Sequence, residues 1–287
     1  MNHISSPDEP FPTPSALDQA TTTHKQGNFL IASRKLPILK AGPIDAMSAR
    51  LGIPVPEMIF GDNLVSITHI PSGWKIEFSA EDALDRVDKT GERMLRVAYA
   101  GEWSSSREKT SAGINEVVKP YDWSYTTDYR GTETRAKIDN EDGSVEEDDG
   151  ISKSGGGTRF LASSRMTPPI PIELLKRRDP ILFADEVVLY ESELDDNGIS
   201  MLSVKCRVME HRMLLLCRLF MRLDNVLVRV RDTRVYVDFD EDLVIREYTA
   251  REDGFENVKR VSLLFTGTCP FFFYFSQCGP RTDANLM

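Results

Sequence analysis

From residue 183 to residue 249 the chain reads as one series of hairpin-linked strands, and no other feature limits the fold as tightly. Leu202, Val204, Cys206 and Val208 alternate with Ser203, Lys205 and Arg207, the period of a strand buried on one face. The spacing predicts strands over 183–194 and 199–212 joined at Asp196-Asn-Gly198, where Asn and Gly accept positive φ. Strands over 213–223 and 226–230 follow, joined by a two-residue turn at Asp224-Asn225, and 243–249 closes the series. Successive hairpins with few helices imply a mainly β chain, an antiparallel β-sandwich.

The first half adds an entry strand over 29–39 and a helix over 43–52, with Pro near its start and Gly52 at its stop. Strands over 64–70 and 74–78 flank Pro71-Ser-Gly73, Ser79 caps a short helix with Asp82 three positions on, and 94–100 is a further strand. A short helix is expected over 172–177. Residues 1–27 are rich in Pro, Ser, Thr and Asp and read as a disordered tail. Seven acids and no Lys or Arg lie between Asp139 and Asp149, followed by Ser154-Gly-Gly-Gly157, so 132–168 is expected to be a disordered insertion. One domain over 28–259 results, with an atypical tail over 260–287.

Composition narrows the function. The 45 acids against 35 bases give a net charge of -10, unsuited to nucleic acid or to an anionic membrane surface. Cys206, Cys217, Cys269 and Cys278 show no C-x-x-C spacing, which fits reduced thiols in a cytoplasmic or nuclear protein. No basic n-region or apolar h-region opens the chain, and the apolar run 261–275 is interrupted by Gly267 and Pro270, so neither a signal peptide nor a spanning helix is expected. Chemistry is also poorly served. Of the four histidines, His3 and His24 fall in the expected tail, and no H-E-x-x-H, G-x-S-x-G, Walker or kinase pattern appears. Gly155-Gly-Gly157 lacks the Lys of a phosphate loop, and Asp238-Phe-Asp-Glu-Asp242 lacks the glycine and distal Glu of an EF-hand, which makes it a solvated turn. The chain is expected to be no enzyme and to hold no cofactor or metal.

Recognition is better served. Lys205 to Arg251 holds ten basic residues, nine of them Arg, against eight acids, a locally positive stretch in a negative chain. The Arg fork binds carboxylates bidentately and stacks on aromatics. Val226, Val228 and Val230 share one face, yet Val235, Val237 and Phe239 carry the opposite parity, and a β-bulge or tight bend at Asp232 would reconcile them. Arg229, Arg231, Arg234 and Tyr236 would then line one polar face, extended by Arg246 and Tyr248. A solvated face with scattered charges is the competing reading. In Lys119-Pro-Tyr-Asp-Trp-Ser-Tyr-Thr-Thr-Asp-Tyr-Arg-Gly131, Trp123 and Tyr125 are expected in the core with Asp122 capping a turn, and Tyr121, Asp128 and Tyr129 at the surface. Asp82 already has a role in the first turn of its helix.

That run resembles the TIPRL family of TOR-signalling regulators, together with Glu57-Met-Ile-Phe-Gly-Asp-Asn63, Arg231-Asp-Thr-Arg-Val-Tyr236 and Arg246-Glu-Tyr-Thr-Ala-Arg-Glu252. The similarity extends from about Lys35 to Lys259. It implies a largely β, non-enzymatic monomer that binds catalytic subunits of type 2A, type 4 and type 6 protein phosphatases. It implies further that such proteins hold the enzyme inactive and capture its acidic, aromatic C-terminal tail in a cleft. Carried onto this sequence, the partner-binding residues are Asp82, Tyr121, Asp122, Asp232, Arg234 and Tyr236, with Arg229, Arg231 and Arg246 secondary. A β-sandwich adaptor for another acidic peptide is the alternative. Beyond Lys259 the chain departs from the family: the Phe- and Ser-rich run ending in Gln277 is what a translated pyrimidine tract would encode, so retained intron sequence or a mispredicted gene end is expected there.

Overall fold

The computed structural model describes residues 12–90, 121–134, 169–194 and 198–263. Its strands form two antiparallel sheets. Helix α1 (Pro14–Gln19) begins at Thr13, whose hydroxyl accepts from Ala16 N, and Pro14 supplies a preset φ at the first turn. β1 (Thr21–Gln26) and β2 (Phe29–Arg34) form a hairpin across Gly27, where φ is +54°. Helix α2 (Ala41–Leu51) stops at Gly52 in the left-handed region, at φ 70°. β3 (Met58–Ile59), β4 (Leu64–His69) and β5 (Trp74–Ser79) lead to α3 (Ala80–Asp85), with the Ser79 hydroxyl accepting from Asp82 N at its start. After β6 (Thr132–Thr134) come α4 (Ile172–Leu175), β7 (Phe183–Ser192), β8 (Gly198–Val208), β9 (Arg212–Leu223), β10 (Leu227–Asp238), β11 (Leu243–Gly254) and α5 (Phe255–Leu263).

The smaller sheet runs β1-β2-β4-β5-β6 and the larger β11-β10-β9-β8-β7-β3. Their facing sides share one core. Phe29, Ile31, Val65, Ile67, Ile76 and Phe78 of the smaller sheet pack with Val204, Cys206, Met213, Leu215, Val235 and Val237 of the larger. The expected antiparallel sandwich is therefore present. Among the described residues no helix is long and apolar enough to cross a membrane.

Several local expectations need correction. Residues 13–26 are ordered rather than a disordered tail, because an edge strand needs backbone pairing more than apolar side chains. β1 pairs with β2 from Thr21↔Arg34 to Gln26↔Phe29, the His24 ring stacks 5.5 Å from Phe183, and Gln26 Nε2 donates to the Glu210 carbonyl at 2.7 Å. Likewise Thr132–Thr134, expected inside the disordered insertion, adds to β5 as β6. The turn after β9 holds three residues, not two, because Leu227 pairs with Leu223. Its Asn225 takes the positive φ, 62°. Gly198 is needed for space rather than φ: a Cβ there would lie 2.0 Å from the Arg222 carbonyl oxygen. The expected strand over 94–100, residues 1–11, the acidic segment 135–168 and residues 264–287 lie outside the described residues. Helix α5 carries the chain past residue 259, where the domain was expected to end.

His69 closes one end of the sandwich. It is fully buried, tilted against Phe29 at 4.9 Å, with Nδ1 2.7 Å from Ser72 Oγ and Nε2 3.7 Å from Asp242 Oδ1 in the β10–β11 turn. Burial lowers its pKa below 6.5 and outweighs the opposing pull of Asp242. The folded chain thus binds fewer protons than the unfolded one below that pH, so stability is complete above about 6.5 and is lost as pH falls through the folded value. Thermal melts of wild type and His69→Gln from pH 7.5 to 5.5 should show a steeper decline for wild type. Parallel slopes would remove His69 as the cause.

Candidate functional site

β10 decides where the candidate residues point. It pairs without interruption with β9 and with β11 over its full length, so the expected bulge at Asp232 is absent. Side chains therefore alternate strictly. Arg229, Arg231, Thr233, Val235 and Val237 face the smaller sheet, and Val228, Val230, Asp232, Arg234 and Tyr236 face away from it. The single stripe of Arg229, Arg231, Arg234 and Tyr236 does not form. Parity changes because both faces of the strand are covered, each at a different place. Val228 and Val230 pack outward beneath α5 with Val258, Phe220 and Phe255. Tyr236 packs outward with Ile170, Ile245 and Leu214, while Val235 and Val237 fill the core between the sheets.

On the inner face the segment 121–134 fills the space that the smaller sheet leaves over β10 and β11. Asp122 is buried. Its Oδ1 accepts from Ser124 N at 3.0 Å and from the Ser124 hydroxyl, and its Oδ2 accepts from Thr126 N at 3.0 Å. Burial nevertheless pushes its pKa up, against those bonds and against Arg229. Tyr125 adopts φ 53°, which turns its carbonyl to the buried Tyr190 hydroxyl at 2.8 Å. Arg229, 7% exposed, donates to Thr126 Oγ1 at 2.7 Å and to Glu252 at 2.6 Å. Arg231 lies 3.5 Å from Asp128. Arg246 reaches Glu133 at 2.5 Å and the Arg130 carbonyl at 3.3 Å. Tyr248 donates to Asp128 and carries the Arg130 guanidinium 4.3 Å over its ring. These arginines anchor the segment to the sheet.

The segment also reaches the smaller sheet. Tyr129 was expected at the surface but is buried: its hydroxyl donates to the Glu77 carbonyl at 3.0 Å, and its own carbonyl accepts from Thr233 Oγ1 at 3.0 Å. Gly131 ends the run at φ 89°, where a Cβ would sit 2.9 Å from Ile76 and Phe78. Half-buried Asp82 accepts from Thr132 Oγ1 at 2.7 Å, and half-buried Tyr121 lies 6.4 Å from Tyr125. Trp123 is half-buried against Leu194, Met221 and Leu227.

On the outer face Asp232, 4% exposed, receives a two-pronged bond from Arg218, Nε and Nη2 both at 2.7 Å. Sequence reasoning missed Arg218, although counting back across the β9–β10 turn sets it opposite Asp232. Tyr236 is 1% exposed; its hydroxyl reaches Asp238 at 3.3 Å, and burial pushes its pKa up to about 12. Arg234 differs from all of these. It is partly exposed, and its ion pairs are long, 3.9 Å to Asp232 and 4.0 Å to Glu247. The outer face thus offers a fixed acid, Asp232, beside a weakly held fork, Arg234. Asp238 accepts from Asp240 N and Glu241 N, which makes 238–242 the solvated turn expected.

Stability should separate these roles. Asp232→Asn loses charge-assisted bonds and should cost about 1.5–3 kcal/mol, and Tyr190→Phe, which strands the Tyr125 carbonyl, about 1–2 kcal/mol. Arg234→Ala should cost under about 0.5 kcal/mol, as exposed long pairs do. Urea unfolding of the three variants measures this, and an Arg234 loss as large as that of Asp232 would make it a structural residue.

Comparison with known proteins matches the same elements. A model of the TIP41-like family covers residues 58–259. The TIP41-like protein of Rattus norvegicus is 41% identical over 236 residues, 82% of this chain and 78% of its own length, and that of Homo sapiens is 40% identical over the same shares. The type 2A phosphatase activator TIP41 of Saccharomyces cerevisiae is 38% identical over 250 residues, 80% of this chain and 63% of its own. On a family match spanning β3 to α5 and relatives at this identity, the chain belongs to the TIP41-like family.

Proposed function

We propose that this protein binds the catalytic subunits of type 2A-like serine/threonine phosphatases and modulates their activity, without catalysis of its own. The names of the yeast relatives, type 2A phosphatase activators, support the enzyme class. The state of Arg234 carries the mode of binding. A guanidinium held only by pairs of 3.9 and 4.0 Å, on a face whose neighbours are fixed, can pass its fork to an incoming carboxylate at little cost. The partner group is the carboxylate-rich C-terminal tail of the phosphatase. Asp232 and Tyr236, being buried, act beneath that contact by fixing its floor, as Asp82, Tyr121 and Asp122 do for the inner segment. Arg229, Arg231 and Arg246 are anchors on the opposite face and drop out as tail contacts. The same binding extends to the type 4 and type 6 enzymes and feeds into TOR signalling. The buried free thiols Cys206 and Cys217 suit a cytoplasmic or nuclear location.

Affinity for a purified catalytic subunit, with and without its last few residues, tests the reading. Arg234→Glu should weaken capture about thirtyfold, the equivalent of about 2 kcal/mol, with an unchanged melting curve. Binding that ignores both the tail and Arg234 overturns the cleft mechanism. Inhibition is the expected sign in the bound complex; the yeast names carry the opposite word, and a dephosphorylation assay with purified components decides between them.

A further inference from the structure

Arg234 has two carboxylates within reach and is gripped by neither. Asp232 stands two residues along the same strand, hence on the same face, and Glu247 stands directly across on β11. Their closest approaches to the guanidinium are 3.9 and 4.0 Å. Coulomb attraction alone would draw them closer, above all at Asp232, which is 4% exposed and poorly screened by water. Something holds each acid away.

Glu247 accepts from the Ile170 amide through Oε1 at 2.8 Å, and it is the other oxygen, Oε2, that faces Arg234. Asp232 is more fully engaged. Arg218, directly opposite on β9, donates from Nε to one oxygen and from Nη2 to the other, both at 2.7 Å. That two-pronged match is the geometry in which a guanidinium satisfies a carboxylate best. It neutralises Asp232, turns it across to β9 and leaves it little pull on the fork beside it.

We propose that Arg218 is a positioning residue for tail capture: by holding Asp232 in a two-pronged pair, it keeps the guanidinium of Arg234 open to a partner's carboxylate. The role rests on the tail reading above, yet the pairing beneath it needs no phosphatase. Arg218 itself touches no partner group. Without it the buried Asp232 charge loses its close cation, a state that proteins tolerate poorly. Arg234, already 3.9 Å away, then closes on the acid. Capture falls in proportion to the time the fork is so engaged.

Double-mutant cycles in urea test the exchange of partners on the protein alone. Arg234→Ala should leave the unfolding midpoint nearly unmoved in wild type. In Arg218→Leu, where Arg234 has become the partner of Asp232, the same change should lower the midpoint clearly. In Arg218→Leu/Asp232→Asn no buried acid is left to hold Arg234, and Arg234→Ala should be silent again. An effect equally small in all three backgrounds overturns the proposal and leaves the tail reading to its own test. Affinity for a purified catalytic subunit gives the second readout. Arg218→Leu should weaken capture about tenfold. Arg218→Leu/Asp232→Asn should recover it to within about threefold of wild type, a rescue that lost packing would not give. Weakened capture without rescue makes Arg218 a tail contact or a folding residue, and overturns the proposal too. If Arg218→Leu does not fold, Arg218→Lys takes its place: it keeps the charge without the second prong, so the same signs should appear at smaller size. Coupled melts together with capture that ignores Arg234 in every background overturn the tail reading, and not the exchange.

Discussion

The candidate residues on β10 take their direction from that strand, because it must satisfy four hydrophobic clusters at once, Leu227 serving the one with Leu194 and Met221. A regular strand offers only two faces, and each cluster claims one face for part of its length. Val228 and Val230 serve the cover supplied by α5, and Tyr236 serves the outer cluster with Ile170 and Ile245. Val235 and Val237 serve the core between the sheets. Four charged positions, Arg229, Arg231, Asp232 and Arg234, stand where one cover has ended and another has yet to begin. Charge is tolerable there only if it is paired, and three of the four are paired closely or packed against the segment that crosses them.

That segment, 121–134, gives the fold its coherence. Its backbone and side chains are bonded to both sheets: Tyr129 reaches the Glu77 carbonyl on one side and receives Thr233 on the other. A left-handed Tyr125 and Gly131 impose the turns, a cost that the surrounding bonds offset. The relay from buried Asp122 through Ser124 and Thr126 to Arg229 and exposed Glu252 links the core to the rim of the larger sheet. A motif rich in Tyr and Asp thus serves internal architecture through its buried Tyr125 and Tyr129, while Tyr121 and Trp123 stay half-buried.

The division of the arginines follows from geometry. An Arg with close carboxylate partners contributes to folding and has no fork to spare, whereas long pairs leave one able to change partners. Arg218 and Arg229 belong to the first kind, Arg234 to the second. Charge counting treats all of them alike, so the locally basic stretch overstates the surface open to a partner.

The sequence by itself determined the sheet class, the order of the C-terminal hairpins, the capped start of α3, the glycine stop of α2, and the family to which the chain belongs. These are local matters, settled within a few residues by period, cap and turn chemistry. It could not reveal β1 or β6, since edge strands are built from backbone pairing that leaves little trace in side-chain polarity. Nor could it tell a bulge from a change of cover along β10, because either produces the same flip in apolar parity. Only the tertiary structure, by setting α5 and residue 170 on one face and residues 121–134 on the other, decided which guanidinium groups are buried anchors and which one remains open.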